Sequence, residues 1–270
     1  MPTVREIEAF LYQFAPKEFA ADWDNVGLLI GDPEQEVKRV LVSLDITETV
    51  AGEAIDGGCE LIVAHHPVMN NRWRAVQSIR QDDPQGRLFI KLLRGNVSCI
   101  CMHTNLDAAE GGVNDILARL AGLERPEILD GADHVARVGE LPQPVPLREF
   151  VRRISSTLHC NGIRYADAGK DAFRVAVGGG SCGGYADAAI AAGCDTFLTA
   201  DIKYHDFLDA AASGLNLIDA GHFATEDPVC ETLVTRLRDG FPALRVWKSA
   251  LHRDAIQYVI GEAPDAQILS

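Results

Sequence analysis

The chain has no surplus of basic residues and no long apolar run, and both absences exclude classes of function. Its 25 lysines and arginines stand against 39 aspartates and glutamates, which gives a formal net charge of −14 at pH 7. Because affinity for nucleic acid comes largely from cationic side chains that neutralise phosphates, this balance argues against nucleic acid as a main partner. No stretch reaches the roughly 20 consecutive apolar residues that cross a bilayer, so we expect no membrane span.

Cysteine usage and the N-terminal pattern indicate a reducing compartment. No C-x-x-C pair occurs among the seven cysteines, and four of them lie in apolar runs: Cys59, Cys99, Cys101 and Cys194. This distribution is typical of reduced core thiols rather than of a disulfide framework. The first six residues, MPTVRE, form a capping box that opens an amphipathic helix and do not resemble a basic, apolar signal peptide. We therefore expect a cytoplasmic protein.

The hydrophobic pattern alternates between strand and helix, in a chain of 270 residues that is long enough for two small domains. It predicts helices at 3–14, 48–56, 86–93, 113–120, 147–158, 185–192, 204–213 and 227–237. It predicts strands at 39–44, 61–64, 97–102, 173–177, 196–199 and 215–218, and a last edge strand at 255–260. Residues 124–146, rich in Pro, Gly and Asp, are predicted to cross between domains. This alternation favours an α/β fold with mostly parallel sheets.

An internal repeat relates the two halves of the chain. The run RVLV at 39–42 aligns with RVAV at 174–177, and AIDGGCE at 54–60 aligns in the same register with AIAAGCD at 189–195. Further on, the halves align again only if the first half has a longer segment between Pro67 and Gly95. The repeat indicates two related strand-helix-strand units, which arose by duplication or by convergence on a common α/β pattern.

Two adjacent histidines, His65 and His66, follow the apolar run LIVA at 61–64. Imidazole is the commonest biological metal ligand, so a strand that ends in two imidazoles favours a metal site. Taken alone, the pair is more typical of a solvated loop or a helix cap with no chemical role. In the repeat the pair aligns with Ala200 and Asp201, so the second half has no imidazole pair. One site shared by both halves therefore fits better than two separate sites.

His103 and His222 are each followed four residues later by a carboxylate, Asp107 and Glu226 respectively. Both histidines follow an apolar run and precede a helical pattern, which predicts strand-to-helix turns, where α/β proteins place their sites. One such pair commonly marks a surface hydrogen bond. Two pairs in equivalent positions of the repeat, together with the histidine pair, predict one metal site.

These patterns together predict two related α/β domains with mostly parallel central sheets and the metal site between them. We expect the first domain to comprise residues 1–125 plus 225–270 and the second to comprise residues 126–224.

Two further motifs each have two interpretations. Basic residues after the histidine pair either bind phosphate groups of a small anionic substrate or form a solvated loop and an outer helix face. They are Arg72, Arg74, Arg80, Arg87, Lys91 and Arg94, with Trp73 among them. The segment GGGSCGG at 178–184 lies between a predicted strand and helix but lacks the G-x-G-x-x-G pattern and the P-loop lysine. It either lets the backbone approach the metal site or binds phosphate.

Short motifs are distributed over nearly the whole chain: WDNVGL at 23–28, SLD at 43–45, AHHP at 64–67, HTNLD at 103–107, GGGS at 178–181, TADIKYH at 199–205, and DAGH at 219–222 with Glu226. Together they resemble the Nif-three-like dinuclear metal-centre family, whose bacterial members are often labelled GTP cyclohydrolase type II homologues. The resemblance implies a toroidal homohexamer of two-domain α/β protomers, each with two metal ions at the inner face. Longer members carry an inserted domain, for which residues 124–171 leave no room.

The resemblance implies metal ligands at five positions, with His103 beside the metals: His65, His66, Asp107, His222 and Glu226. Three imidazoles and two carboxylates satisfy two divalent ions only if a carboxylate bridges or waters complete the coordination, so open positions are expected. Nitrogen and oxygen ligands without a thiolate suit zinc, iron or manganese. Two neighbouring ions activate water and stabilise both oxygens of a displacement, which is a hydrolase-type centre.

Three functions of different class follow. The first is a metal-dependent hydrolase of a nucleotide or phosphorylated small molecule, extending to the ring opening of GTP that the family label names. Its candidates for proton transfer or substrate contact are His103, His205 and Tyr204, which alternatively hold the ligands in orientation. The second is a non-catalytic, metal-binding hexameric scaffold or regulator. The third, nucleic-acid binding through the opening of the ring, is disfavoured by the acidic charge.

Overall fold

Helices and strands alternate along the chain in the computed structural model, which describes residues 1–69 and 75–259. The helices are α1 (Val4–Phe14), α2 (Glu48–Asp56), α3 (Pro84–Arg94), α4 (Thr104–Ala108), α5 (Val113–Ala121), α6 (Leu147–Thr157), α7 (Ala186–Ala191), α8 (Tyr204–Ala212), α9 (His222–Glu226) and α10 (Val229–Gly240). The strands are β1 (Gly27–Ile30), β2 (Arg39–Ser43), β3 (Leu61–Ala64), β4 (Ser98–Cys101), β5 (Glu124–Ile128), β6 (Arg137–Val145), β7 (Arg164–Ala166), β8 (Ala172–Val177), β9 (Thr196–Thr199), β10 (Asn216–Asp219) and β11 (Arg245–Lys248).

The strands form two sheets with the same internal order, which confirms the α/β fold class. The first sheet has the order β1-β4-β3-β2-β11, and the second has the order β5-β6-β8-β9-β10-β7. In each sheet three consecutive strands are parallel, β2-β3-β4 and β8-β9-β10. An antiparallel strand flanks each set, β1 beside β4 and β7 beside β10. The matching orders support the internal repeat and extend it to β1 and β7.

Local sequence explains where the helices around the first sheet begin. Thr3 caps α1 in a capping box with Glu6, and Thr47 accepts a hydrogen bond from the backbone of Val50 at the start of α2. Asp83 caps α3, whose first residue is Pro84. Such residues satisfy backbone N–H groups that have no partner within the helix. The late start of α3, compared with α8 directly after β9, accounts for the longer segment of the first half.

The last elements of each half belong to the sheet of the other half. After α4 the chain crosses to the second sheet, where β6 pairs with β8; after α9 it returns to the first sheet, where β11 pairs with β2. Helix α10 packs in the core of the first sheet beside α1. Helix α5 lies at the junction, since Val113 and Ile116 belong to the first core and Leu117 and Ala121 to the second. We keep the two domains, 1–125 plus 225–270 and 126–224, as a proposal with α5 at their boundary.

Two local predictions were wrong. Residues 124–146, which were predicted to cross between domains, are largely two antiparallel strands of the second sheet, β5 and β6. Prolines and glycines suggested a loop, but an edge strand and a strand with an irregular register tolerate them. Residues 255–259 form no strand, and Ile260 lies outside the described residues. Among the residues that the structure describes, the last strand is β11. Within the described residues, no helix combines the length and the hydropathy that crossing a membrane requires.

Candidate metal centre

The predicted ligands lie just beyond the ends of three parallel strands, one segment after each. His65 and His66 follow β3, Asp107 lies in α4 after β4, and His222 and Glu226 begin and end α9 after β10. The carboxyl ends of parallel strands meet at one edge of a sheet, where α/β proteins bind ligands. Because the first two segments belong to one sheet and the third to the other, the cluster lies between the two sheets.

Glu226 is the centre of the cluster. One of its oxygens, Oε2, lies 2.9 Å from Nε2 of His66, 3.0 Å from Nε2 of His222 and 3.7 Å from Nε2 of His65. The Nε2 atom of His65 is also 3.5 Å from Oδ1 of Asp107. Two groups of potential ligand atoms therefore share this carboxylate: His66, His222 and Glu226 form one, and His65, Asp107 and Glu226 form the other. A third group joins His65 and His66 to His103.

Two buried atoms of the cluster have no hydrogen-bond partner among the described residues. They are Nε2 of His65 and Oδ1 of Asp107, and both side chains are largely or wholly buried. The Nδ1 atom of His65 lies 2.8 Å from the carbonyl oxygen of Met102, which only accepts, so Nδ1 carries the hydrogen and Nε2 has a free lone pair. A lone pair and a carboxylate oxygen without partners suit a cation, because leaving them unpaired is costly. These residues therefore fit a divalent metal ion.

A carboxylate holds the outer nitrogen of each of the other three histidines. Nδ1 of His66 lies 2.7 Å from Asp45, Nδ1 of His222 lies 2.7 Å from Asp201, and Nδ1 of His103 lies 2.9 Å from Asp24. Each of these bonds fixes the orientation of the ring and directs Nε2 towards the cluster. Carboxylate–histidine pairs of this kind are characteristic of histidines that bind metals.

Burial and neighbouring charges divide the pKa values of the cluster. Burial lowers the pKa of His65 to about 3, so this imidazole is neutral. Burial and then the negative charge of Glu226 raise the pKa of Asp107 to about 7. Burial also opposes ionisation of Glu226, but His222 and His66 outweigh it and hold its pKa well below the usual range.

His66 and His222 respond in the opposite direction. Burial opposes their protonation, but Asp45 and Glu226 outweigh it at His66 and raise its pKa to about 10. Glu226 and Asp201 likewise raise the pKa of His222 to about 11. The two Nε2 atoms are 3.3 Å apart, so two protons facing each other there would repel. At least one of these two Nε2 atoms therefore carries a proton at neutral pH when no cation is bound.

The glycine-rich segment after β8 contacts the cluster directly. Gly180 has a φ of +61°, and a Cβ atom at this position would lie 2.1 Å from Oε1 of Glu226. The N–H groups of Gly179 and Gly180 donate to Asn114 and Thr225, so neither is available for a phosphate. These contacts favour the interpretation in which the glycines let the backbone approach the metal site.

Other predicted residues lie apart from the cluster. Tyr204 and His205 are exposed at the start of α8, where their rings contact each other with centroids 5.4 Å apart. Neither makes a described hydrogen bond, ion pair or ring contact with the five ligand candidates. The basic residues Arg72 and Arg74, with Trp73 between them, lie outside the described residues. Several others face acidic or carbonyl oxygens around α3: Arg80, Arg87 and Lys91. Phosphate binding by this group stays a prediction.

Three functional carboxylates had no assigned role in the sequence: Asp24, Asp45 and Asp201. All three occur in the motifs that carry the family resemblance, and Asp45 and Asp201 lie two residues beyond β2 and β9. For Asp45 and Asp201, the position just past a strand end was the available signal. Burial opposes ionisation of Asp24, but hydrogen bonds from His103 and Thr104 outweigh it and lower its pKa to about 2.

The fold and the cluster define a class: a two-domain α/β protein with a candidate metal centre where its two sheets meet. The chain belongs to the Duf34/NIF3 (NGG1p interacting factor 3) family, whose family model matches residues 2–255.

Relatives of known sequence cover most of the chain. A Streptomyces coelicolor protein named GTP cyclohydrolase 1 type 2 homolog is 38% identical over 242 residues, 86% of this chain and 84% of its own length. A protein of the same name from Clostridium perfringens is 34% identical over 84% of this chain and 87% of its own. The crystal structure of the Staphylococcus aureus hypothetical protein SA1388 matches with a TM-score of 0.86 and 31% identity. That match covers 95% of this chain and 99% of the other.

Proposed function

We propose that this protein is a hydrolase that depends on two divalent metal ions and acts on a nucleotide or a phosphorylated small molecule. The observation that carries the proposal is the pair of ligand groups that share Glu226, in which Nε2 of His65 and Oδ1 of Asp107 have no other partner. His65, Asp107 and Glu226 would hold one ion, and His66, His222 and Glu226 the other. Zinc, iron and manganese suit these nitrogen and oxygen donors.

Bound ions would supply Lewis acidity, which activates water and stabilises negative charge on a reacting oxygen. The protein contributes orientation. Glu226 is almost fully buried and faces both groups, so it fixes their relative position. Asp45 and Asp201 fix the rings of His66 and His222, so that each presents Nε2 to the cluster.

His103 is the proposed residue for proton transfer. Its Nδ1 faces Asp24, which also accepts hydrogen bonds from the backbone and the hydroxyl of Thr104. The fully buried side chain of Asp24 holds the ring in one orientation. The Nε2 atom then faces the side of His65 and His66, where a positioned imidazole can accept or donate a proton. Tyr204 and His205 are proposed to contact the substrate from the exposed start of α8.

The names of the relatives support a narrower version of this proposal, in which the substrate is GTP and the reaction opens its purine ring. We also propose that the protein is cytoplasmic and assembles as a homohexameric toroid. Size measurement by light scattering tests the assembly directly, and a monomer or dimer at working concentrations would contradict it.

Metal content and a hydrolysis screen test the function. The purified protein should hold two divalent ions per chain, and a screen of nucleotides and phosphoesters should find turnover that requires them. His65→Ala should abolish turnover while the circular dichroism spectrum stays that of the wild type. His159→Asn, which changes an exposed histidine in a left-handed backbone position, is the control and should leave turnover unchanged.

Each outcome decides between functions. Two ions per chain without any metal-dependent turnover would favour a non-catalytic metal-binding scaffold or regulator. Fewer than one ion per chain would show that the ligand assignment is wrong.

A further inference from the structure

Asn114 is a wholly buried polar residue that connects the two carboxylate-bearing segments of the metal centre. We propose that Asn114 is a positioning residue, which fixes Asp107 relative to Glu226 and so sets the affinity of the ion site that needs both. This inference rests on the proposed metal centre. It concerns a side chain that offers no ligand atom itself.

The first connection runs from Asn114 to the segment that carries Asp107. Asn114 lies in the first turn of α5, and its Nδ2 donates to the backbone carbonyl of Asp107 at 3.1 Å. The bond ties the start of α5 to α4 at the residue whose carboxylate faces His65. A shift of this carbonyl would move the Asp107 side chain with it.

The second connection runs from Asn114 to the segments of the second sheet. The backbone N–H of Gly179 donates to Oδ1 of Asn114 at 2.8 Å. The next residue, Gly180, donates to Oγ1 of Thr225 at 3.0 Å, beside Glu226 in the chain. Because Gly180 leaves no room for a Cβ against Oε1 of Glu226, the position of this loop limits the position of the carboxylate.

An amide side chain suits both bonds. The N–H of Gly179 can only donate and the carbonyl of Asp107 can only accept, so one side chain must offer an acceptor and a donor together. Asparagine does so in one planar group. Aspartate would keep the bond to Gly179 but place an oxygen against the carbonyl of Asp107. Alanine would remove both bonds.

The expected effect is confined to one ion site. Asp107 belongs to the group with His65 and Glu226 and not to the group with His66 and His222. Loss of partners that orient metal ligands commonly lowers affinity about 10- to 100-fold. In Asn114→Ala we therefore expect one of two Zn²⁺ binding steps to weaken by about this factor. The other step should change by less than about threefold, because its two histidines keep their carboxylates and the bond from Gly180 to Thr225 still holds the loop against Glu226.

Asn216 offers a matched control. It is also wholly buried, its Nδ2 donates to the carbonyl of Lys170 and to Thr196, and its Oδ1 accepts from Ala168. It lies at the start of β10, whereas the metal centre lies beyond the end of that strand. Asn216→Ala removes a comparable set of buried hydrogen bonds, so it should lower the melting temperature of the metal-free protein. It should leave both Zn²⁺ binding steps unchanged.

Asn114→Asp separates positioning from charge. A new negative charge near the cluster would by itself strengthen cation binding, because opposite charges attract. Positioning predicts the reverse, a weaker binding step, because the bond to Asp107 is lost. This variant also keeps the test open if Asn114→Ala does not fold.

The experiment is a Zn²⁺ titration of the full-length chain against a competing chelator, with thermal unfolding of each metal-free variant. One weakened step in both Asn114 variants, with two normal steps in Asn216→Ala, supports the inference. If the wild type binds Zn²⁺ in two steps and the Asn114 variants bind it as the wild type does, the inference is overturned. It is also overturned if Asn216→Ala weakens binding as much as the Asn114 variants do. Either result leaves the metal centre intact. A wild-type chain that binds no Zn²⁺ would instead overturn the metal centre itself, and this inference with it.

Discussion

The segments that follow β3 and β9 are equivalent positions of the repeat, yet their residues have different roles in the candidate metal centre. Strand β3 is followed by His65 and His66, which both belong to the cluster. Strand β9 is followed by Ala200 and Asp201, and Asp201 accepts a hydrogen bond from Nδ1 of His222. One unit therefore supplies ligands where the other supplies the carboxylate that orients a ligand. The two units contribute different residues to one site, and neither unit alone contains the whole of it.

A similar contrast separates the two carboxylates. Asp107 and Glu226 are equivalent in the repeat, but only Glu226 lies within 4 Å of the Nε2 atoms of three histidines. Asp107 approaches His65 alone in this way. The longer side chain of Glu226 lets it serve both ligand groups.

Removing each carboxylate tests this contrast, and the largest effect is expected here. Glu226→Gln should reduce metal content from two ions per chain to less than one, because both groups lose their shared oxygen donor. Asp107→Asn should leave about one ion, because the group of His66 and His222 keeps its ligands. Elemental analysis after dialysis measures both. Equal losses in the two variants would contradict the special role of Glu226.

Two glycines allow the effect of a close contact with Glu226 to be measured separately from the effect of backbone strain. Gly180 and Gly193 both have positive φ angles. A Cβ at Gly180 would meet Glu226, whereas a Cβ at Gly193 would have no atom of the described residues within 4 Å. Gly193→Ala should cost about 1–2 kcal/mol of unfolding free energy, from the left-handed backbone alone. Gly180→Ala should cost about 1–3 kcal/mol more, because Glu226 must move. Urea unfolding of the metal-free variants measures both costs, and equal costs would argue against a tight contact at Gly180.

The two orienting carboxylates provide the next comparison. Asp45 faces both His66 and His252, whereas Asp201 faces His222 and Ser181. Asp45→Asn and Asp201→Asn should each weaken Zn²⁺ binding about 10- to 100-fold, and both should act on the ion held by His66 and His222. Calorimetric titration checks this, since the other binding step should stay close to that of the wild type. Effects on different steps would show that the two histidines serve different ions.

The smallest expected effect is a release of protons when a cation binds. Glu226 and the outer carboxylates raise the pKa values of His66 and His222 to about 10 and about 11 in the metal-free protein, against the opposing effect of burial. At least one proton must therefore leave before both rings can act as ligands. Lower pH should weaken binding, and the apparent binding enthalpy at pH 7 should vary with the ionisation enthalpy of the buffer. A buffer-independent enthalpy would contradict this prediction.

Sequence patterns predicted the parts of the molecule that depend on local composition. The apolar run of β3, the histidines at its end and the two histidine–carboxylate pairs are all visible along the chain. The strands β1 and β7 were missed because they are short and only partly buried, whereas the equally short strands β3 and β9 are buried throughout. Strands β5 and β6 were missed because prolines and glycines in their segment resemble a loop.

The rest of the site depends on tertiary contacts that local patterns do not contain. Nothing along the chain indicates that Asp24 meets His103, since 79 positions separate them. The position of α5 at the junction and the packing of α10 on the first sheet likewise depend on the fold of the whole chain. The resemblance to a family identified the motifs that hold these residues, but only the structure supplies their partners.

The exchange of elements also bears on how the protein is made. Strands β1 to β4 of the first sheet come from residues 27–101. The edge strand β11 of the same sheet and the helix α10 that covers it come from residues 229–248. During synthesis, the apolar face beneath α10 stays uncovered until residues 229–240 have left the ribosome. The first half cannot complete its core before then, so we expect the two halves to reach their final form together, after residue 248 has emerged.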